Sequence, residues 1–124
     1  MPITLKSRED GRILVYTIVG RWEIHDVVEK FKEELAFRER ASRTVHLLVD
    51  LRLMQNVPAK LITIRGAPGM SHTTSGYVVM IGASPMARIL GQSVFRVLGF
   101  DRARFFDIEE LAWTFLNSVL TAEV

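Results

Sequence analysis

Thr44-Val45-His46-Leu47-Leu48-Val49-Asp50-Leu51 reads as a buried β-strand that ends in an acidic residue. Leu47 to Val49 is continuously apolar, the pattern of a strand covered on both faces in a parallel sheet. Asp50 is then expected at the strand's carboxyl end, the edge where open α/β sheets place their working residues. Arg52-Leu53-Met54-Gln55-Asn56-Val57-Pro58 follows, with no hydroxyl, thiol or glycine-rich phosphate loop. The expected working edge is poor in reactive groups.

Upstream of this strand, Ile24 to about Arg40 carries a helical stripe of Val27, Val28, Phe31 and Leu35. Glu29, Lys30, Lys32, Glu33 and Glu34 are expected on its wet side, with Glu29–Lys32 and Lys30–Glu34 at helical neighbour spacing. Before the helix, Ile3–Ser7 and Ile13–Val19 flank an Asp10-Gly11 turn and predict a hairpin closed by Gly20. Downstream, the 57–65 segment is ambiguous between helix and strand. A short helix is preferred, because a parallel crossover needs a connection there, with Gly66-Ala67-Pro68-Gly69 ending it. Met70–Gly76 reads as a polar loop and Tyr77–Ile81 as the next buried strand.

Ser84 then caps a helix that has Pro85 at its first position and stops at Gly99. Met86, Ile89, Leu90, Val94, Val97 and Leu98 are its expected apolar side. Arg102–Phe106 is a last strand, and Asp107 with Glu110 has the spacing of a capping box. The closing helix carries Leu111, Ala112, Phe115, Leu116, Val119 and Leu120 as its stripe. The predicted fold is α/β, β-β-α-β-α-β-α-β-α: a mostly parallel sheet of about five strands laid side by side in sequence order, with an antiparallel first strand.

The chain's 124 residues fit one domain, 1–124, without disulfides or metals to hold it together. The absence of cysteine removes disulfide frameworks, thiol nucleophiles and cysteine zinc sites. The first residues, Met1 to Lys6, lack a signal-peptide core, and no apolar run approaches the roughly 20 residues of a membrane helix. A cytoplasmic protein that contacts no membrane is the expectation. The formal charge is only +2 despite a pI near 9.3. Arg38, Arg40 and Arg43 lack interleaved aromatics and read as a solvated helix end rather than a nucleic-acid surface.

The strand order, Ile13–Gly20 leading to an acidic-starting helix, Leu47-Leu48-Val49-Asp50-Leu51 and the closing Leu111-Ala112-Trp113-Thr114-Phe115-Leu116 together resemble the STAS domain, and within it the SpoIIAA-like proteins of bacteria. That resemblance implies a small regulatory or interaction module. Its members carry a phosphorylated serine or threonine in an Asp-Ser-Ser-Gly-like turn after the central strand. Here the matching residues are Met54-Gln55-Asn56-Val57-Pro58-Ala59, without a phosphoacceptor or glycine. Asp50 matches the acidic strand end, but the switch residue does not carry over.

No metal set or cofactor is implied: His25, His46 and His72 lie far apart in sequence with no carboxylate at ligand spacing. His46 reads as a satisfied core or edge histidine and His25 as solvated. His72, in a polar loop, is a candidate ligand contact. Gly82-Ala83-Ser84-Pro85-Met86 lacks the Gly-x-Ser-x-Gly elbow, so a hydrolase built on Ser84, His72 and Asp50 ranks last, and no enzyme is expected. Two non-catalytic readings remain. One is a module that binds a protein partner through its carboxyl-edge loops and last helix. Trp113 and Phe37, both off their helices' stripes, are its candidate partner or homodimer contacts. The other is a carrier or sensor of a small apolar or weakly anionic molecule held near Asp50, Met54, Asn56, His72 and Ser84. Met54, Met70, Met80 and Met86 are candidates to line its pocket.

Overall fold

A computed structural model describes residues 2–58, 60–61 and 67–123. Five strands, β1 (Ile3–Arg8), β2 (Ile13–Gly20), β3 (Val45–Met54), β4 (Ser75–Ile81) and β5 (Ala103–Phe106), form one sheet in the order β1-β2-β3-β4-β5. β1 is antiparallel to β2 and every other pair is parallel. Three helices complete it: α1 (Ile24–Arg40), α2 (Pro85–Val97) and α3 (Glu109–Ala122). The β1–β2 turn bends through positive φ at Glu9, Asp10 and Gly11. The helix expected over 57–65 falls largely outside the described residues. The described part of that connection includes a 3₁₀ turn, Pro68–Ser71, where a polar loop was expected from Met70.

Strands laid in sequence order with right-handed crossovers put every crossover on one face. α1, the described part of the β3–β4 connection and α2 therefore share one side of the sheet, and α3, after β5, is left to cover the other. The alternation of side chains follows this division. Leu14, Tyr16, Leu47, Val78 and Met80 point to the two-helix side. Ile13, Leu48, Val79 and Ile81 point to α3, where Ala112, Leu116 and Leu120 seal them.

The helix ends follow local chemistry. Ser84 Oγ accepts from the Ala87 N–H at 3.2 Å, with Pro85 next to it, as expected. At α1 the Glu23 N–H donates to Asp26 Oδ2 at 2.8 Å. Asp107 does not cap α3. Ile108 holds that position, and Asp107 lies out in solvent, 3.8 Å from Arg88.

Several sequence expectations are corrected. β3 runs on to Met54, so Asp50 lies inside the strand rather than at its end. Pairing with β2 carries it there, the register reaching Gly20↔Met54 after a bulge. On α1, Val28 is exposed while Lys30, Glu34 and Arg38 are buried, so the expected wet side is partly the core side. Lys30 Nζ pairs with Glu33 at 2.7 Å rather than with Glu34. On α2, Met86, Ile89 and Val97 face solvent, and so does Leu111 on α3.

Candidate functional site

α2 turns its small residues, Ala87 and Gly91, toward the sheet and its large Met86, Ile89 and Val97 away from it. Where only Ala87 and Gly91 lie under the helix, the space between α1, α2 and strands β2–β4 is not filled, and Val94, Phe95 and Leu98 line it farther along. A cavity of about 200 Å³ remains. Its floor includes Ile18, Leu47, Val49 and Val78, and Phe31 and Phe95 form helix-side walls. The bulge shapes its carboxyl end. Thr17 pairs with Asp50 but Val19 pairs with Leu53, so β3 holds one extra residue and the alternation shifts. Leu51 and Met54 consequently both line the cavity, while Leu53 points into solvent.

Among the described lining residues only Tyr16 and Trp22 carry a side-chain O–H or N–H, and both are committed elsewhere. Tyr16 Oη donates to Glu34 Oε1 at 2.5 Å. Burial pushes the Tyr16 hydroxyl well above the ordinary tyrosine range, and the adjacent Glu34 carboxylate adds to the shift. Trp22 Nε1 donates to the Asn56 carbonyl at 2.9 Å. The Asn56 side chain closes the clasp, accepting from Trp22 N at 2.9 Å and donating to Trp22 O at 3.0 Å. The cavity therefore offers a wall of hydrocarbon, sulfur and aromatic faces.

Behind Tyr16 lies a buried polar network. Glu34 Oε2 receives Arg38 Nε at 2.7 Å, and both side chains are almost wholly buried. Arg38 Nη1 donates to the carbonyls of Val45 and Thr74, each at 3.0 Å. The 3₁₀ turn packs directly on this pair: a Cβ at Gly69 would run into the Glu34 carboxylate, so only glycine fits there. The network thus fixes the turn that carries Met70 to the cavity wall.

The structure brings Met54 and Asn56 together at this site, Met54 in the wall and Asn56 in the clasp beside it. Met70 and Met80 also line the cavity, whereas Met86 faces solvent. Asp50 lies toward α3, held by Arg52 through Nε at 2.9 Å and Nη2 at 2.8 Å. Arg52 in turn reaches Glu109 at 3.0 Å. The hydrogen bond from Arg52 keeps the Asp50 carboxyl below its ordinary range. Ser84 is used as a helix cap. His72 precedes β4 and so sits at the amino edge of the sheet, its Nδ1 accepting from the Thr74 N–H at 3.2 Å. Ser84, Asp50 and His72 are therefore not assembled.

Phe37 is on α1 and Trp113 on α3, so the two lie on opposite faces of the sheet and do not form one surface. Phe37 packs on the core; Trp113 lies under the Arg8 guanidinium at 4.9 Å and donates to Glu109 at 3.1 Å. Among the described residues, no group of three or more His, Asp or Glu side chains could hold a metal ion. None of the described helices is long and apolar enough to cross a membrane.

Sequence reasoning missed Tyr16, Glu34, Arg38 and Trp22. The i,i+4 Glu34–Arg38 spacing was the available signal, but it looks the same on a wet face.

No protein-family model matches the chain, and no curated protein matches it. Among solved structures it is similar to an uncharacterised protein of the DUF3478 family with a SpoIIAA-like fold, from Shewanella loihica PV-4. The two share 17% identity at a TM-score of 0.63, over 92% of this chain and 91% of that one. The fold is SpoIIAA-like.

Proposed function

We propose that this protein is a non-enzymatic carrier or sensor module that takes a small apolar molecule into the cavity between α1, α2 and the sheet. The observation that carries the reading is the cavity itself: about 200 Å³, with the hydrogen-bonding side-chain atoms of its described walls bonded elsewhere. A dry apolar cavity of roughly 150 Å³ accommodates benzene, so this one suits a ring or chain of about eight to ten carbons. The separate positions of Ser84, Asp50 and His72 count against a hydrolase built on those three residues.

Toluene at about 100 times its Kd should stabilise the protein by roughly 2.7 kcal/mol, read as a shift in thermal midpoint. Native mass spectrometry of fresh preparations should show a co-purified small molecule. Apoprotein alone, together with an unmoved midpoint, would refute the reading.

A second reading, a regulatory module docking a protein partner, is supported by the outward face of α2. Met86 is 68%, Ile89 64% and Val97 84% exposed, an unusual amount of apolar surface for one helix. Tagged protein should then retain a partner that is lost on Ile89→Asp. Repeated capture of nothing counts against it.

A further inference from the structure

An open basin of about 830 Å³ adjoins the apolar cavity, and Trp22 and Val57 border both. The basin is built differently from its neighbour. Arg21 and Lys60 supply two cations, Glu23 and Asp26 two carboxylates, and His25 stands 3.6 Å from Glu23 and 3.4 Å from Asp26. The formal charges of its described walls cancel, and those walls offer both donors and acceptors.

We propose that cavity and basin form one composite site for a neutral-headed amphiphile, with an apolar body of about eight to ten carbons in the cavity and a hydroxyl or amide head in the basin. This deepens the carrier reading and rests on it. Among the described residues the apolar chamber leaves no side-chain hydrogen-bonding atom free for a head, so the polar end is assigned to the space where polar groups are exposed. A neutral head that donates and accepts can use either sign of charge in the basin. A carboxylate or an ammonium meets as many like charges as opposite ones and gains no net attraction for the water it gives up.

Tryptophan emission tests this, because Trp22 stands between the two spaces and Trp113→Phe removes the other indole. In that background 1-octanol should shift the emission saturably, with octanoate and octylammonium at least about fivefold weaker. Arg21→Gln removes one of the basin's cations and should move the octylammonium-to-octanoate affinity ratio toward the ammonium by roughly threefold or more. Equal affinities for the three heads, a charged head binding tightest, or an unmoved ratio in Arg21→Gln would overturn the composite site. In those cases binding of headless toluene leaves the cavity reading standing. If neither toluene nor 1-octanol binds, both proposals fall.

Discussion

The two faces of this sheet solve the same burial problem in opposite ways. On one, a single helix, α3, sets Ala112, Leu116 and Leu120 against Ile13, Leu48, Val79 and Ile81, with Tyr77, Phe106 and Phe115 closing the edges. On the other, two helices and a connecting segment cover the same strands yet leave a hollow, because α2 turns Ala87 and Gly91 inward. Covering elements do not by themselves make a solid core; side-chain volume on their inner faces does. The hollow face also carries the buried Glu34–Arg38 pair, so its rigidity comes from charge as well as from packing.

The sharpest way to break the hollow face is to remove one half of that pair. Glu34→Ala leaves Arg38 uncompensated and the Tyr16 hydroxyl with only its 3.5 Å contact to the Lys30 carbonyl. A loss of about 3–5 kcal/mol in chemical denaturation is expected. A loss below about 1 kcal/mol would mean that apolar packing alone holds this side. The next largest contrast uses one substitution on both faces. Ala112→Leu forces extra volume into a filled interior and should cost about 1–3 kcal/mol. Ala87→Leu points into the cavity, so it should be neutral or stabilising by up to about 1–2 kcal/mol while weakening toluene binding by tenfold or more. Equal costs at the two alanines would show that the hollow is not real.

Much of this asymmetry is only half visible in the chain. The strand order, the antiparallel first strand and the bounds of α1 follow from periodicity and punctuation, and Leu47 and Leu48 are as buried as the apolar run implies, while Val49 is only partly buried. The rotation of α2 does not follow, because Met86, Ile89, Leu90, Val94, Val97 and Leu98 spread over about half the helix circumference and only one border of that arc, with Val94 and Leu98, turns inward. The two small residues four apart, Ala87 and Gly91, were the better clue to its inner side. The buried charges were misread for a related reason. Lys30, Glu34 and Arg38 look like a wet surface until Tyr16 and the Val45 and Thr74 carbonyls are seen to need partners. The bulge that lengthens β3 past Asp50 leaves no mark in composition at all, which is why Met54 was assigned to a loop.

The smallest expected effect separates the faces by pH. On the solid side His46 is buried, its Nδ1 accepting from the Tyr77 N–H at 2.9 Å and its Nε2 2.8 Å from Glu123. An Nδ1 that accepts carries no proton, so the folded protein holds the neutral ring. Burial lowers the His46 pKa from its ordinary 6.5, and the Arg12 and Arg38 charges add to this, outweighing the opposing pull of Glu123. With the folded value depressed, the unfolded chain takes the proton first as pH falls through about 6.5. Stability present in full above that point is then lost toward the folded pKa. Asp50, also depressed from its ordinary 3.8, loses its stabilising contribution only as pH falls below about 4 and leaves this window clear. Urea midpoints should therefore drop between pH 7.5 and 5.5, and His46→Gln, although less stable throughout, should flatten that slope. A slope that survives the substitution would show that the acid-sensitive group is not His46 and remove the electrostatic weakness assigned to it.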